Sequence, residues 1–410
     1  MQKDKIWKLL EDSAYIRTSG SPQEKQCAQH IMAQCREMGF APTLESFPVA
    51  MSTMEEAQLL LDGEPVTCKG YLLSGTAEVE APFLYLPNTD PCSLQEVRGK
   101  IVMLDGGGMR HWVYQDLLKN GALGFITYDG NANYADCDMD QKELRPQVSC
   151  GNKLPGVSIQ VKDAIPQILK GVKTAKISIK QTEYEGTSEN VVLDLPGELP
   201  QYIVLTAHYD STPLSKGVYD NMSGSVGLFG ILDYFKDHPH RYGLRFVWCG
   251  SEERGLLGSK AYCAAHKEEL ENVVLDINLD MIGCIMGRFE ACCTAEEKLV
   301  HYTEYFAAQE GFGISVTQGV YPSDSTPFAD SGVPAITFAR SAPSNTATIH
   351  NRYDTLDVMS AQQMSDDIDF IVSFTERMAC AHFCPVSRTM PENMKEKLEE
   401  YMCRKRPDKK

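Results

Sequence analysis

Four short apolar runs in the second half of the chain constrain its fold more than any other feature: YIVLTA (202–207), LRFVWC (244–249), VVLDINLD (273–280) and PAITFAR (334–340). Each has the length of a strand. Helical patterns alternate with them: SVGLFGILDYF (225–235), GSKAYCAAHKEEL (258–270), AEEKLVHYTEYFAAQEG (295–311) and AQQMSDDIDFIVSFTERMAC (361–380). Such alternation predicts an α/β fold, with a doubly wound, mainly parallel central sheet and helices on both faces.

In open sheets of this kind, ligands bind beyond the carboxyl ends of the strands. His208 follows the first run, with Asp210 two residues on. Glu252 and Glu253 follow the second, and Asp280 ends the third. Two loops add Asp220-Asn221, just before a Gly-rich helix start, and His350, just before the last long helix. Singly, each has a plain reading: a satisfied histidine, a turn, a solvated pair of acids. Gathered on one rim, two imidazoles and several carboxylates form a donor set suited to Zn²⁺, with Co²⁺ or Mn²⁺ as possible substitutes.

The rest of the chain frames this region. PQEKQCAQHIMAQCREM (22–38) has helical spacing, with Ser21 as its N-cap and Gly39 as its stop, and a strand is expected near 43–49. Between about 54 and 176, short strands alternate with turns (FLYLPNTDP, GKIVMLDGGG, GALGFITYDG, LPGVSIQ) around one helix pattern, VYQDLLKNGA. That texture predicts a compact, mainly-β unit inserted at 54–176 into a discontinuous domain made of 1–53 and 177–410.

Net charge is −17 over 410 residues, which argues against nucleic acid or an anionic membrane as partner. The opening MQKDKIWKLLEDSAY has no apolar core of the signal-peptide kind, and no run reaches the roughly 18 apolar residues that span a bilayer. The 14 cysteines form no C-x-x-C pair. Reduced thiols in a cytoplasmic protein are expected, with Cys292-Cys293 serving packing. The terminal RKRPDKK is expected to be solvated and disordered. Oligomeric state is not legible.

Six stretches agree in order and spacing with one family: TAHYDS (206–211), YDNMSG (219–224), CGSEERGLLGS (249–259), INLDMIG (277–283), PSDSTPFADSGVPAI (322–336) and IHNRYDTLD (349–357). Together with RTSGSPQE near the N-terminus, they resemble the dizinc exopeptidases, which include aminopeptidases, glutamate carboxypeptidase and the non-catalytic transferrin receptor. The inserted unit resembles a protease-associated (PA) domain through VRGKIVMLDGGG, LLKNGALGFITYDG and LPGVSIQVKDA.

The resemblance implies two Zn²⁺ per chain. His208 and Asp280 would bind one, Glu253 and His350 the other, and Asp220 would bridge them. It makes Glu252 the general base and Asp210 the residue that orients His208, and it implies a cis bond at Asp220–Asn221. Tyr321 lies near where relatives place a hydroxyl that assists the oxyanion. The family's S-D-H stretch reads Ser323-Asp324-Ser325 here, a departure that touches no metal ligand but bears on the specificity pocket.

The implied activity is that of a zinc aminopeptidase acting on peptides. A carboxypeptidase or dipeptidase of the same fold, a glutaminyl-cyclase-like transferase and a non-catalytic receptor-like protein are the alternatives. An aminopeptidase needs an acid for the substrate ammonium, for which Asp324 is the candidate; a carboxypeptidase needs a cation, for which Arg340, Arg254 and Lys216 are available.

Overall fold

A computed structural model describes residues 1–133, 138–344 and 346–407. The chain forms two compact units, one of Met1–Phe47 with Thr187–Lys410 and one of Pro48–Gly186. It passes between them within two long strands, Thr43–Leu61 and Thr174–Leu195.

In the larger unit, four parallel strands form the middle of the sheet in the order Ala335–Ser341, Val273–Leu279, Tyr202–His208, Gly243–Cys249. Arg288–Thr294 flanks the first antiparallel, with Ser315–Gln318 beyond it. Residues 191–195 flank the last antiparallel. The central strands read as continuous apolar runs because both faces are covered. Ile203, Leu205 and Ala207 point into the large core beneath helices Pro22–Glu37, Ser223–Phe235, Glu297–Glu310 and Ala361–Ala379. Val204, Val247 and Val273 point the other way, against Tyr262 and Cys263 of helix Leu257–Ala265 and Phe328 of helix Ser325–Asp330.

The smaller unit holds four parallel neighbours, Ala77–Leu86, Ile101–Asp105, Gly124–Asp129 and Gly156–Gln160. Parallel neighbours need crossover connections, and helices His111–Asn120 and Val161–Lys170 accompany them. Tyr71, Tyr114 and Phe125 anchor one core, while Ile126, Val157 and Ile177 belong to a second.

Several elements go beyond the sequence expectation. Helices Lys3–Asp12 and Glu392–Tyr401 are additional. The chain end is less free than its charge suggests. Arg404, just beyond the last helix, forks onto Asp330 and also meets Glu399. Residues 408–410 of that segment lie outside the described residues. No helix of the described residues is long and apolar enough to cross a membrane.

Helix Ser223–Phe235 approaches the strand ends closely through two glycines in its first turns, where the Ser225 hydroxyl also donates to His208 O at 2.7 Å. A Cβ on Gly224 would stand 2.3 Å from the Leu279 carbonyl oxygen and 2.5 Å from Asn221 Oδ1, and one on Gly227 would meet Leu279 Cδ2 at 2.7 Å. Backbone cannot yield as a flexible side chain can. Gly224→Ala is therefore expected to destabilise the protein by about 1–3 kcal/mol. A lowered urea midpoint with an unchanged denaturant slope would report that loss.

Candidate metal centre

The strand ends deliver what the sequence places there. His208 is the last residue of its strand, 1% exposed. Asp280 directly follows Leu279 and is 5% exposed. Asp220 sits in the turn before helix Ser223–Phe235, and the Asp220–Asn221 peptide bond is cis. Asn221 ties this turn to the neighbouring strand. Its Nδ2 donates to Leu279 O at 2.8 Å, and its Oδ1 accepts Met281 N at 3.0 Å and Gly224 N at 2.9 Å. Glu252 and Glu253 stand on a short turn after the strand Gly243–Cys249. His350 arrives from a loop, in a left-handed conformation (φ +61°).

These residues form two groups that share Asp220. Ligand atoms of His208, Asp220 and Asp280 all lie within 4.8 Å of one another, as do those of Asp220, Glu253 and His350. Asp220 gives one oxygen to each group: Oδ1 is 3.2 Å from His208 Nε2, and Oδ2 is 3.1 Å from His350 Nε2. His208 Nε2 is also 3.7 Å from Asp280 Oδ1, and His350 Nε2 is 3.1 Å from Glu253 Oε2. Glu252 stands beside both groups, its Oε2 3.8 Å from His208 Nε2.

The spacing fits a bound cation better than hydrogen bonds alone. His350 Nε2 faces two carboxylate oxygens at 3.1 Å each, yet an imidazole nitrogen carries one proton at most. Asp280 Oδ1 is buried without a hydrogen-bond partner, which is costly for a carboxylate. Tetrahedral donors about 2.0–2.1 Å from zinc stand roughly 3.3 Å apart, and the separations here run from 3.1 to 3.7 Å. Nitrogen and oxygen donors of this kind suit zinc.

The electrostatics point the same way. Burial alone would lower the His208 imidazole, but the charge of Glu252 and the nearby carboxylates of Asp210, Asp220 and Asp280 push it well above its ordinary value. His350 behaves alike: burial opposes, and Glu253 with Asp220 drives it up to about 11. The acids thus hold a field that calls for positive charge. Burial would raise Asp220, but hydrogen bonds from the two histidines keep it below the usual carboxylate range. Burial raises the Glu252 carboxyl well above its ordinary value; His208 opposes this, and Glu253, Asp324 and Asp280 add to it.

Asp210 is fully buried behind His208. Its Oδ1 is 3.5 Å from His208 Nδ1 and accepts the Glu252 N–H at 2.9 Å, while Oδ2 accepts the Glu253 N–H at 3.2 Å. One side chain therefore stands next to the histidine and holds the turn with both glutamates. Burial, then the charges of Asp280 and Asp220, push the Tyr321 hydroxyl up, which places that phenol in the field of the cluster.

Two sequence candidates serve other ends. Asp324 is fully buried, and its Oδ1 accepts Ser259 Oγ at 2.6 Å, so it is no open partner for a substrate ammonium. Arg340 is occupied. Its Nε lies 2.8 and 3.0 Å from the two oxygens of fully buried Asp367, and Nη1 donates to Gly287 O at 3.0 Å. Asp367 also accepts the Gly283 N–H at 2.9 Å, so the pair pins the loop that follows Asp280.

Sequence reasoning misses three residues around the site. Buried Asp354 accepts the Tyr219 N–H at 2.7 Å and the Asp220 N–H at 3.2 Å. It lies within the IHNRYDTLD stretch, but nothing in the spacing says which backbone it holds. Buried Arg17 donates to the carbonyls of Tyr209, Tyr15, Lys216 and Gly217. A basic residue in an N-terminal loop gives no sign of that. The third, Glu24, resembles an ordinary helix-capping acid three residues after Ser21.

Aminopeptidase YwaD of Bacillus subtilis is 26% identical over 389 residues, 89% of this chain and 81% of that protein. Leucine aminopeptidase 2 of Arthroderma otae is 24% identical over 290 residues, 67% of this chain but 57% of that protein. The chain thus spans a little over half the length of that fungal relative. Among solved structures, an aminopeptidase from Aneurinibacillus sp. strain AM-1 superposes with a TM-score of 0.78 at 20% identity, covering 94% of this chain and 96% of its own. BSAP, a zinc aminopeptidase from Bacillus subtilis, gives 0.75 at 22% identity, covering 91% and 94%. These likenesses show the α/β fold with its large, mostly parallel sheet. Residues 190–375, which carry every group of the centre, match the model of peptidase family M28.

Proposed function

We propose that the protein is a zinc-dependent aminopeptidase that removes N-terminal residues from peptides, with two Zn²⁺ per chain. The observation that carries this reading is Asp220, whose two oxygens serve two separate three-residue groups. His208 and Asp280 would hold one ion and Glu253 and His350 the other, with Asp220 within reach of both. Co²⁺ or Mn²⁺ would suit the same donors. The three ligand carboxylates bring three negative charges against four from the ions, so the centre retains affinity for one further anion.

Zinc, when bound, supplies Lewis acidity, bringing the pKa of water from 15.7 to about 7 and polarising the scissile carbonyl. Glu252 takes the proton of the attacking water. As the carbon–nitrogen bond breaks, the same carboxyl passes that proton to the departing amine nitrogen. Burial, opposed by His208 and aided by Glu253, Asp324 and Asp280, raises the affinity of that carboxyl for a proton. Asp210 fixes the His208 ring, leaving Nε2 toward the ligand cluster. Tyr321 donates its hydroxyl to the developing oxyanion.

The carboxypeptidase alternative loses one of its three candidate cations, because Arg340 is spent on Asp367. We assign the smaller unit, Pro48–Gly186, as a PA-like domain on the motifs that resemble one. We assign the protein to the cytoplasm, where its 14 cysteines would stay reduced.

Two experiments test the reading. Glu252→Gln is expected to keep its zinc and lose about 10³-fold or more in kcat, near the upper range for one acid–base group; an active, zinc-loaded variant contradicts the role. Peptides with a free N-terminus should be cleaved and their N-acetylated counterparts spared. Comparable hydrolysis of both would overturn the aminopeptidase assignment.

A further inference from the structure

Glu24 begins as a helix-capping residue and ends as something more. It is the third residue of helix Pro22–Glu37, and the N-cap Ser21 accepts its N–H at 3.1 Å. Its Oε2 accepts the Gly20 N–H at 2.6 Å, close to a capping box. One oxygen meets that need. The other, Oε1, reaches residues far away in sequence: Ser188 Oγ at 2.9 Å, and Ser251 N and Oγ at 2.9 and 3.1 Å, the latter 227 positions along the chain. The side chain is 2% exposed. A capping acid has no need to be buried, and burying a carboxyl is costly unless its hydrogen bonds are made.

Ser251 directly precedes Glu252. It adopts φ 56° and ψ 35°, the left-handed region that a residue with a Cβ resists. Gly250 before it is pressed so tightly that a Cβ there would stand 2.5 Å from Glu189 O. The Ser251 hydroxyl also bonds Ser19 Oγ, which belongs to the same N-terminal segment as Glu24. The turn is thus gripped from two sides, by Asp210 at the N–H groups of Glu252 and Glu253 and by Glu24 at Ser251.

We propose that Glu24 is a positioning residue for the base: by locking Ser251 in its left-handed conformation, it sets the aim of the Glu252 carboxylate. The inference rests on Glu252 being the general base. Burial, then the Asp210 charge, push the Glu24 carboxyl up to about 8. An amide of the same shape keeps one acceptor oxygen for Ser251 and Ser188, while its nitrogen would face the Gly20 N–H, so Glu24→Gln gives up the capping bond and retains the hold on the turn.

The test compares zinc-loaded wild type, Glu24→Ala, Glu24→Gln and Glu252→Gln for zinc content, kcat and KM on one free-N-terminal peptide. Glu24→Ala is expected to keep its zinc, lose about 10-fold or more in kcat, and hold KM within about 2-fold, while Glu24→Gln recovers kcat to within about 3-fold of wild type. An unimpaired kcat in Glu24→Ala overturns the proposal, and so does zinc loss in step with kcat, since that marks a merely structural role. If the alanine variant does not fold, Glu24→Asp carries the test. It is one methylene too short to reach Gly20 and Ser251 together, so kcat should fall with zinc retained; an undiminished kcat overturns the proposal. If Glu252→Gln stays active, the base assignment has failed. If Glu252→Gln is inactive and Glu24→Ala unimpaired, only the positioning role has failed.

Discussion

Negative charge packed at the carboxyl ends of buried parallel strands governs this molecule. Asp220, Asp280, Glu252 and Glu253 crowd around two imidazoles, with fully buried Asp210 directly behind. Carboxylates so placed repel each other and lose hydration, and they persist only where positive charge compensates them. The two histidines can supply at most one proton to each side of Asp220, and His350 already faces two acceptors. Divalent cations answer the whole imbalance, which is why the fold, the electrostatics and the proposed chemistry converge on one rim.

A second layer of polar groups keeps that rim in place by gripping backbone. Asp210 takes the N–H groups of Glu252 and Glu253, Asp354 those of Tyr219 and Asp220, Asp367 that of Gly283, and the Asn221 amide that of Met281. The loops they hold need it: Ser251, Met281 and His350 all have positive φ. Conformations of that kind survive where the surroundings over-determine them. The reacting groups thus stand on strained turns and the restraint comes from buried acceptors beneath, so rigidity at the site is built from hydrogen bonds to main chain.

Legibility in the sequence followed the same division. The sheet was readable because its central strands are covered on both faces, so VLTA, FVWC and INL stand out as unbroken apolar runs. The ligand candidates were readable because strand ends are where such sheets gather polar groups. Strand Arg288–Thr294 was harder. It lies near the sheet edge, and RFEACCT splits its faces, with Cys293 fully buried and Cys292 only partly so. The acceptors were hidden for a different reason. Glu24 and Asp354 act on backbone far away in sequence, and a main-chain N–H leaves no residue type to recognise. Asp324 and Arg340 misled because charged residues near a site suggest substrate contacts, whereas these two are bonded within the fold.

Anomalous diffraction at the zinc edge, from crystals of the protein as purified with zinc, tests the central claim most directly. The account predicts two peaks, one among His208, Asp220 and Asp280 and one among Asp220, Glu253 and His350, with Asp220 touching both. A single peak, or density centred away from Asp220, would contradict it.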